Sequence, residues 1–174
     1  MGKGGLQTAL PILEGSSDCF PTKGDLMVIF FSVVLKDLLE KGCDYPWPKP
    51  AVCPRCGACR LCGHGYVGCF FDGFQHALLI KRYRCPDCRC VIRCRPRGYF
   101  KRFQAPIDTI RESISSKAQR GCWLKGVSRC RQAHWWRALK QRIEAFFGHT
   151  FCGTRLEGFE LLLSLGRSPV CRAI

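Results

Sequence analysis

Cys53-Pro54-Arg55-Cys56-Gly57 opens, and Tyr83-Arg84-Cys85-Pro86-Asp87-Cys88 closes, the stretch on which the reading of this chain turns. The two C-P-x-C pairs stand 28 residues apart. A C-x-x-C pair lets one tight turn present two sulfurs, and two such turns together offer a metal ion four thiolates. Pro sets the φ of the turn, and Gly57 after the second Cys accepts a left-handed conformation. Arg89 stands where the second turn would want the same Gly. Between the pairs, Tyr66–Phe71 and Ala77–Tyr83 are β-prone and flank Asp72-Gly73, a turn signal. Val91–Ile92 can add a third strand.

These features predict a zinc ribbon over residues 51–97, with Zn2+ on Cys53, Cys56, Cys85 and Cys88. Nine cysteines lie between Cys53 and Cys94, so rivals stay open. Cys59-Arg60-Leu61-Cys62-Gly63-His64 repeats C-x-x-C-G, and with His64 or Cys69 it offers a shifted or second site. Cys90 and Cys94 are further thiols that can share a site or sit neutral in the core. An iron–sulfur cluster could use the same ligands.

Composition sets the frame. The chain has 174 residues, room for one modest domain or two small ones. Fifteen cysteines with no legible secretion signal point to a reducing compartment, where Cys pairs favour metal over disulfide. The apolar run Leu26–Leu35 is half the ~20 residues of a membrane helix. The expected location is cytoplasmic and nucleoid-associated, with no membrane partner.

The formal charge of +15 is segregated. Residues 81–142 hold 18 Lys and Arg against Asp87, Asp108 and Glu112, while the flanking segments are balanced. Such a block calls for a polyanion. Lys81, Arg82, Arg84, Arg93, Arg95, Arg97, Lys101 and Arg102 flank the cysteine region, interleaved with Tyr83, Tyr99, Phe100 and Phe103. That mixture suits a phosphate backbone.

In chain order, residues 1–50 are expected to form a Gly- and Pro-rich lead-in, a helix and a linker. The helix spans Leu26–Glu40, capped by Thr22-x-x-Asp25 and stopped by Gly42, with a buried strand over Met27–Leu35 as the alternative. The linker Tyr45-Pro46-Trp47-Pro48-Lys49-Pro50 separates that helix from the cysteine region.

Beyond the ribbon, residues 104–147 read as a helix-turn-helix unit. Pro106 starts a helix whose buried face is Ile107, Ile110, Ile114 and Ala118. Ser116-x-x-Gln119 caps a short helix over Lys117–Lys125, Gly126 turns the chain, and Ser128 caps a basic helix Arg129–Phe147. The apolar stripe of that last helix is Ala133, Trp136, Leu139, Ile143 and Phe146 or Phe147. In this geometry Arg129, Arg131 and Gln132 are the base-edge candidates. Arg137, Lys140 and Arg142 are the phosphate candidates. Residues 148–174 form a tail, with a short helix or strand at Phe159–Leu165.

Cys53–Gly57, Arg82–Cys88 and Gln132–Arg137 together resemble the N-terminal regions of bacterial insertion-sequence transposases. The likeness covers about residues 51–147. It implies zinc at the four named cysteines and recognition of element ends or similar DNA. The catalytic core of that family carries three metal-binding carboxylates, and after Phe147 only Glu157 and Glu160 remain as acids.

The expected fold is small and α+β: an N-terminal helix, a zinc-ribbon hairpin and a helix-turn-helix three-helix unit. The expected function is zinc-dependent, non-enzymatic binding of double-stranded DNA, transposase-like, with a homodimer or transposase subunit as protein partner. An RNA-binding ribbon protein and a nuclease or strand-transfer subunit are the alternatives.

Overall fold

Four strands pair in the order β1-β4-β3-β2 to make one sheet, seen in a computed structural model that describes residues 26–170. The strands are β1 (Leu26–Phe31), β2 (Cys62–Cys69), β3 (Leu78–Arg84) and β4 (Val91–Pro96). The helices are α1 (Leu35–Lys41), α2 (Ile107–Arg120), α3 (Arg129–Phe147) and α4 (Arg155–Ser164). The architecture is therefore α+β.

β2 and β3 form the hairpin expected between the two cysteine pairs, with Gly73 at φ 86 in the connection. β4 adds to β3 antiparallel, Arg82 opposite Arg93 and Tyr83 opposite Ile92. Tyr66, Val67, Ile80, Tyr83, Val91 and Ile92 are the β-prone residues that favour these pairings.

The first helix needs correction. Residues 26–31 are a strand, β1, which pairs parallel with β4, Leu26 beside Val91 and Phe31 beside Pro96. Its apolar residues gain more from an edge of the sheet than from a helix with no polar face. Helix is confined to α1, and Gly42 at φ 53 ends it as expected. The proposed cap at Thr22 and Asp25 lies outside the described residues. The Pro-rich stretch is not a spacer either. Trp47 is buried in the same core as Leu38, Ile80 and Ile92. Tyr83 donates its hydroxyl to the Trp47 carbonyl at 3.3 Å. Residues 26–50 thus share the sheet's core instead of standing apart from it.

A second core forms where α2, α3 and α4 meet, around Ile110, Ile114, Trp135, Leu139, Phe159 and Leu162. Two expectations change here. The short helix over Lys117–Lys125 is absent. α2 runs unbroken to Arg120, Gly121 caps it at φ 68, and an irregular loop leads to α3. Ser116 is a buried residue inside α2, donating to the Cys122 carbonyl at 2.9 Å, and Ala118 is exposed. The buried stripe of α3 is Gln132, Trp135, Ala138, Leu139 and Ile143, rotated by about one residue from expectation.

The third helix of the unit is α4, in the segment read as a tail. Thr154 and Glu157 make a reciprocal capping box at its start. Gly158 lets it approach α3: a Cβ there would lie 2.4 Å from Ile143 Cδ1. Among the described residues no helix is long and apolar enough to cross a membrane.

Candidate metal centre and basic surface

The two C-P-x-C turns are built alike. Cys53 donates its backbone N–H to the Ala58 carbonyl at 2.8 Å, and Cys85 donates to the Cys90 carbonyl at 3.1 Å. Each turn so closed is completed by a residue with left-handed φ, Gly57 at 74° and Arg89 at 60°. The hairpin brings the turns together. The sulfurs of Cys53, Cys56, Cys85 and Cys88 all lie within 4.8 Å of one another, and this group can hold a metal ion.

The spacing fits a single ion. Bonds of ~2.3 Å in a tetrahedron put sulfurs about 3.8 Å apart. Cys53 Sγ lies 3.6 Å from Cys88 Sγ, and Cys56 Sγ lies 3.6 Å from Cys85 Sγ. These separations are far beyond a disulfide bond, and all four cysteines are free.

The protein already prepares two of these thiols for ionisation. Burial pushes the Cys53 thiol up, but backbone hydrogen bonds from Arg55 and Cys56 carry it below its ordinary value. A backbone hydrogen bond from Cys90 brings Cys88 down to about 6 against the opposing effect of burial. Cys56 moves the other way. The backbone bond from Ala58 lowers it, but burial and the neighbouring Cys88, Cys85 and Cys53 thiols outweigh that and push it up to about 12. One member of a crowded thiol set keeps its proton until a cation arrives.

The rival ligands do not assemble. Among the described residues, Cys59, Cys62, His64 and Cys69 form no group with metal-ligand spacing. Cys94 is buried in the sheet core, where burial raises its pKa to about 12. Cys90 is buried too, with its sulfur 3.5 Å from that of Cys53, a neighbour that the spacing of the C-P-x-C pairs did not reveal.

The basic candidates divide by environment. Arg84, Arg97, Lys101, Arg102, Arg129, Arg137 and Lys140 are exposed, with Lys140 3.6 Å from Glu144. Lys81 lies over the Tyr66 ring at 4.3 Å, and Arg142 lies over Phe146 at 5.5 Å. Arg131 is tied to Asp72 at 2.8 Å and stacks over Trp135.

Two candidates are not surface groups. Gln132 is fully buried. Its Oε1 accepts from Ser113 Oγ at 2.8 Å and Leu124 N at 3.0 Å, and its Nε2 donates to the Leu124 and Val127 carbonyls. It fastens the loop between α2 and α3 and cannot reach a base edge. Arg95 is 5 % exposed, packs over Phe71 and donates to the Phe103 carbonyl.

Comparison with family models, with curated proteins and with solved structures found no match to this chain.

Proposed function

We propose that this chain is a zinc-dependent, non-catalytic DNA-binding protein, transposase-like in its cysteine-rich hairpin. The carrying observation is the gathering of Cys53, Cys56, Cys85 and Cys88 within one ion's reach, on turns of which the second lies inside the basic block. Four thiolates select zinc or iron. Sulfurs this close enclose one ion, whereas a polynuclear cluster would hold them farther apart. Zinc would link the two loops, so that ligation becomes folding energy. The residues' part is to offer thiolates at fixed spacing and to carry positive charge beside them.

The DNA reading rests on the charge. Of the 28 Lys and Arg, 18 lie in residues 81–142, and many are exposed on the β4–α2 connection and on α3. We read α2, the loop 121–128 and α3 as a helix-turn-helix variant whose loop is pinned by Gln132. Arg129, exposed at the start of α3, is then the base-edge candidate, and Arg137 and Lys140 face phosphates.

Elemental analysis of the purified full chain should give one zinc per chain. Iron in its place, or a metal ratio near zero, refutes the centre. Chelation should abolish the sheet's circular dichroism, and a gel shift on duplex DNA should weaken steeply with salt. Duplex binding insensitive to salt removes the DNA reading.

A further inference from the structure

We propose that Arg82 and Arg93 form a phosphate-binding cradle on one face of the sheet, where they grip a nucleic-acid backbone. The inference rests on the DNA-binding reading and deepens it by naming the contact.

Register places the two together: Arg82 is directly opposite Arg93 in the β3–β4 pair. Residues two apart on a strand, and residues paired across it, share a face. Like charges directly opposite are destabilising, so this pairing costs the isolated fold something. Among the described residues no ion pair involves either arginine. An arginine cannot shed its proton to escape the conflict.

Among the described residues, the buried Nε atoms of Arg82 and Arg93 have no hydrogen-bond partner. Arg82 and Arg93 are only half-buried, which leaves them open to an acceptor from outside. β1 sets Val28 beside Arg93, an apolar margin that strengthens any ion pair formed there. At the other end, the β2 irregularity puts Gly65 against Arg82, where a Cβ would lie 3.8 Å from Nη2.

The acceptor is a phosphate oxygen. Guanidinium forks match phosphate in two-point geometry. Arg84, exposed and two residues beyond Arg82, continues the row along the same strand face. A line of charge suits a polymer of phosphodiesters better than one small anion.

The test uses the zinc-loaded full chain and the double variant Arg82→Gln/Arg93→Gln, each checked for zinc content and circular dichroism. Fluorescence anisotropy with a labelled duplex is read across a salt series. The wild type should show a slope of log affinity against log salt steeper by about 1 to 2, given ~0.9 per phosphate contact. The charge-keeping pair Arg82→Lys/Arg93→Lys should retain that slope. Without DNA, the Gln pair should melt higher than wild type, because the repulsion is gone. Equal slopes in wild type and a folded Gln variant overturn the cradle and leave the DNA reading standing. A wild type that binds no duplex overturns the DNA reading instead. Sodium tripolyphosphate then decides the cradle: a melting point raised in wild type but not in the Gln variant supports it, and no rise overturns it. Should the Gln variant not fold, loss of the salt slope in the Lys pair refutes the cradle.

Discussion

Arg89 carries a cost that one substitution should remove. It holds φ 60 at the position where the first turn has Gly57 at φ 74. An L-residue in the left-handed region costs roughly 1–2 kcal/mol. Glycine there avoids that cost but loses more chain freedom on folding, about 0.5–1 kcal/mol. The net gain expected for Arg89→Gly is therefore about 0.5–1 kcal/mol, or roughly a two- to fivefold tighter hold on zinc if ligation and folding are one event. Arg89 is exposed, so little packing is lost. Its charge beside the thiolates is a confounding term, and Arg89→Ala separates it, removing the charge while keeping the left-handed strain. The reverse experiment is Gly57→Ala. A Cβ at Gly57 would meet nothing within 4 Å, so any loss there is backbone strain alone. Competition with a chromogenic chelator gives the affinities, and thermal melting gives the stabilities. The order expected is Arg89→Gly tightest and Gly57→Ala weakest. If Arg89→Gly holds zinc no better than Arg89→Ala, the left-handed position is not strained and the reasoning is wrong.

Two further outcomes follow from buried groups. Gln132→Leu strands the Ser113 hydroxyl, the Leu124 N–H and two carbonyls, at ~1–3 kcal/mol per unmet group. Denaturant melting should show a loss of about 3 kcal/mol or more, with the salt slope for duplex DNA intact; a specific loss of DNA affinity at full stability would return Gln132 to the interface. Cys94 bears on alkaline stability. Its folded pKa is raised from 9.0 to about 12 by burial, so its contribution is complete below pH 9 and is lost as pH rises toward 12. Zinc-loaded Cys94→Val should lose less stability than wild type between pH 9 and 11 in melting curves, and parallel curves would contradict this.

Local chemistry made the hairpin and its sulfurs legible. Spacing, Pro and Gly report on a turn of five or six residues, and β2 and β3 are joined by the turn that registers them. β1 was legible only as an alternative, because its partner β4 begins 65 residues later, at Val91 against Leu26. A run apolar on all sides suits a helix or a strand until that partner is known. The phase of α3 was misread by one position since Trp135 and Trp136 are adjacent, and periodicity ranks neighbouring aromatics equally. Trp135 is buried, while Trp136 is covered by the Arg155 guanidinium at 3.9 Å. Gln132 looked like a reader of bases because its burial depends on a loop folding back onto it. The Thr154-x-x-Glu157 box was readable and marks α4.

The fifth thiol explains how the centre is poised. Cys90 matches Ala58 in the first turn, since the carbonyl of each accepts the N–H of its turn's first cysteine. That position points inward, so Cys90 is buried, and burial pushes its thiol strongly upward. A tetrahedral ion takes four ligands, and Cys90 is the sulfur that most resists ionisation. Kept as a thiol, it can give its one hydrogen to Cys53 Sγ, 3.5 Å away, which lowers Cys53, while its backbone N–H lowers Cys88. An alanine at this place would fill the core but give no hydrogen to Cys53 Sγ. Cysteine does both, which is why a side chain outside the C-P-x-C pairs still shapes a thiolate within them.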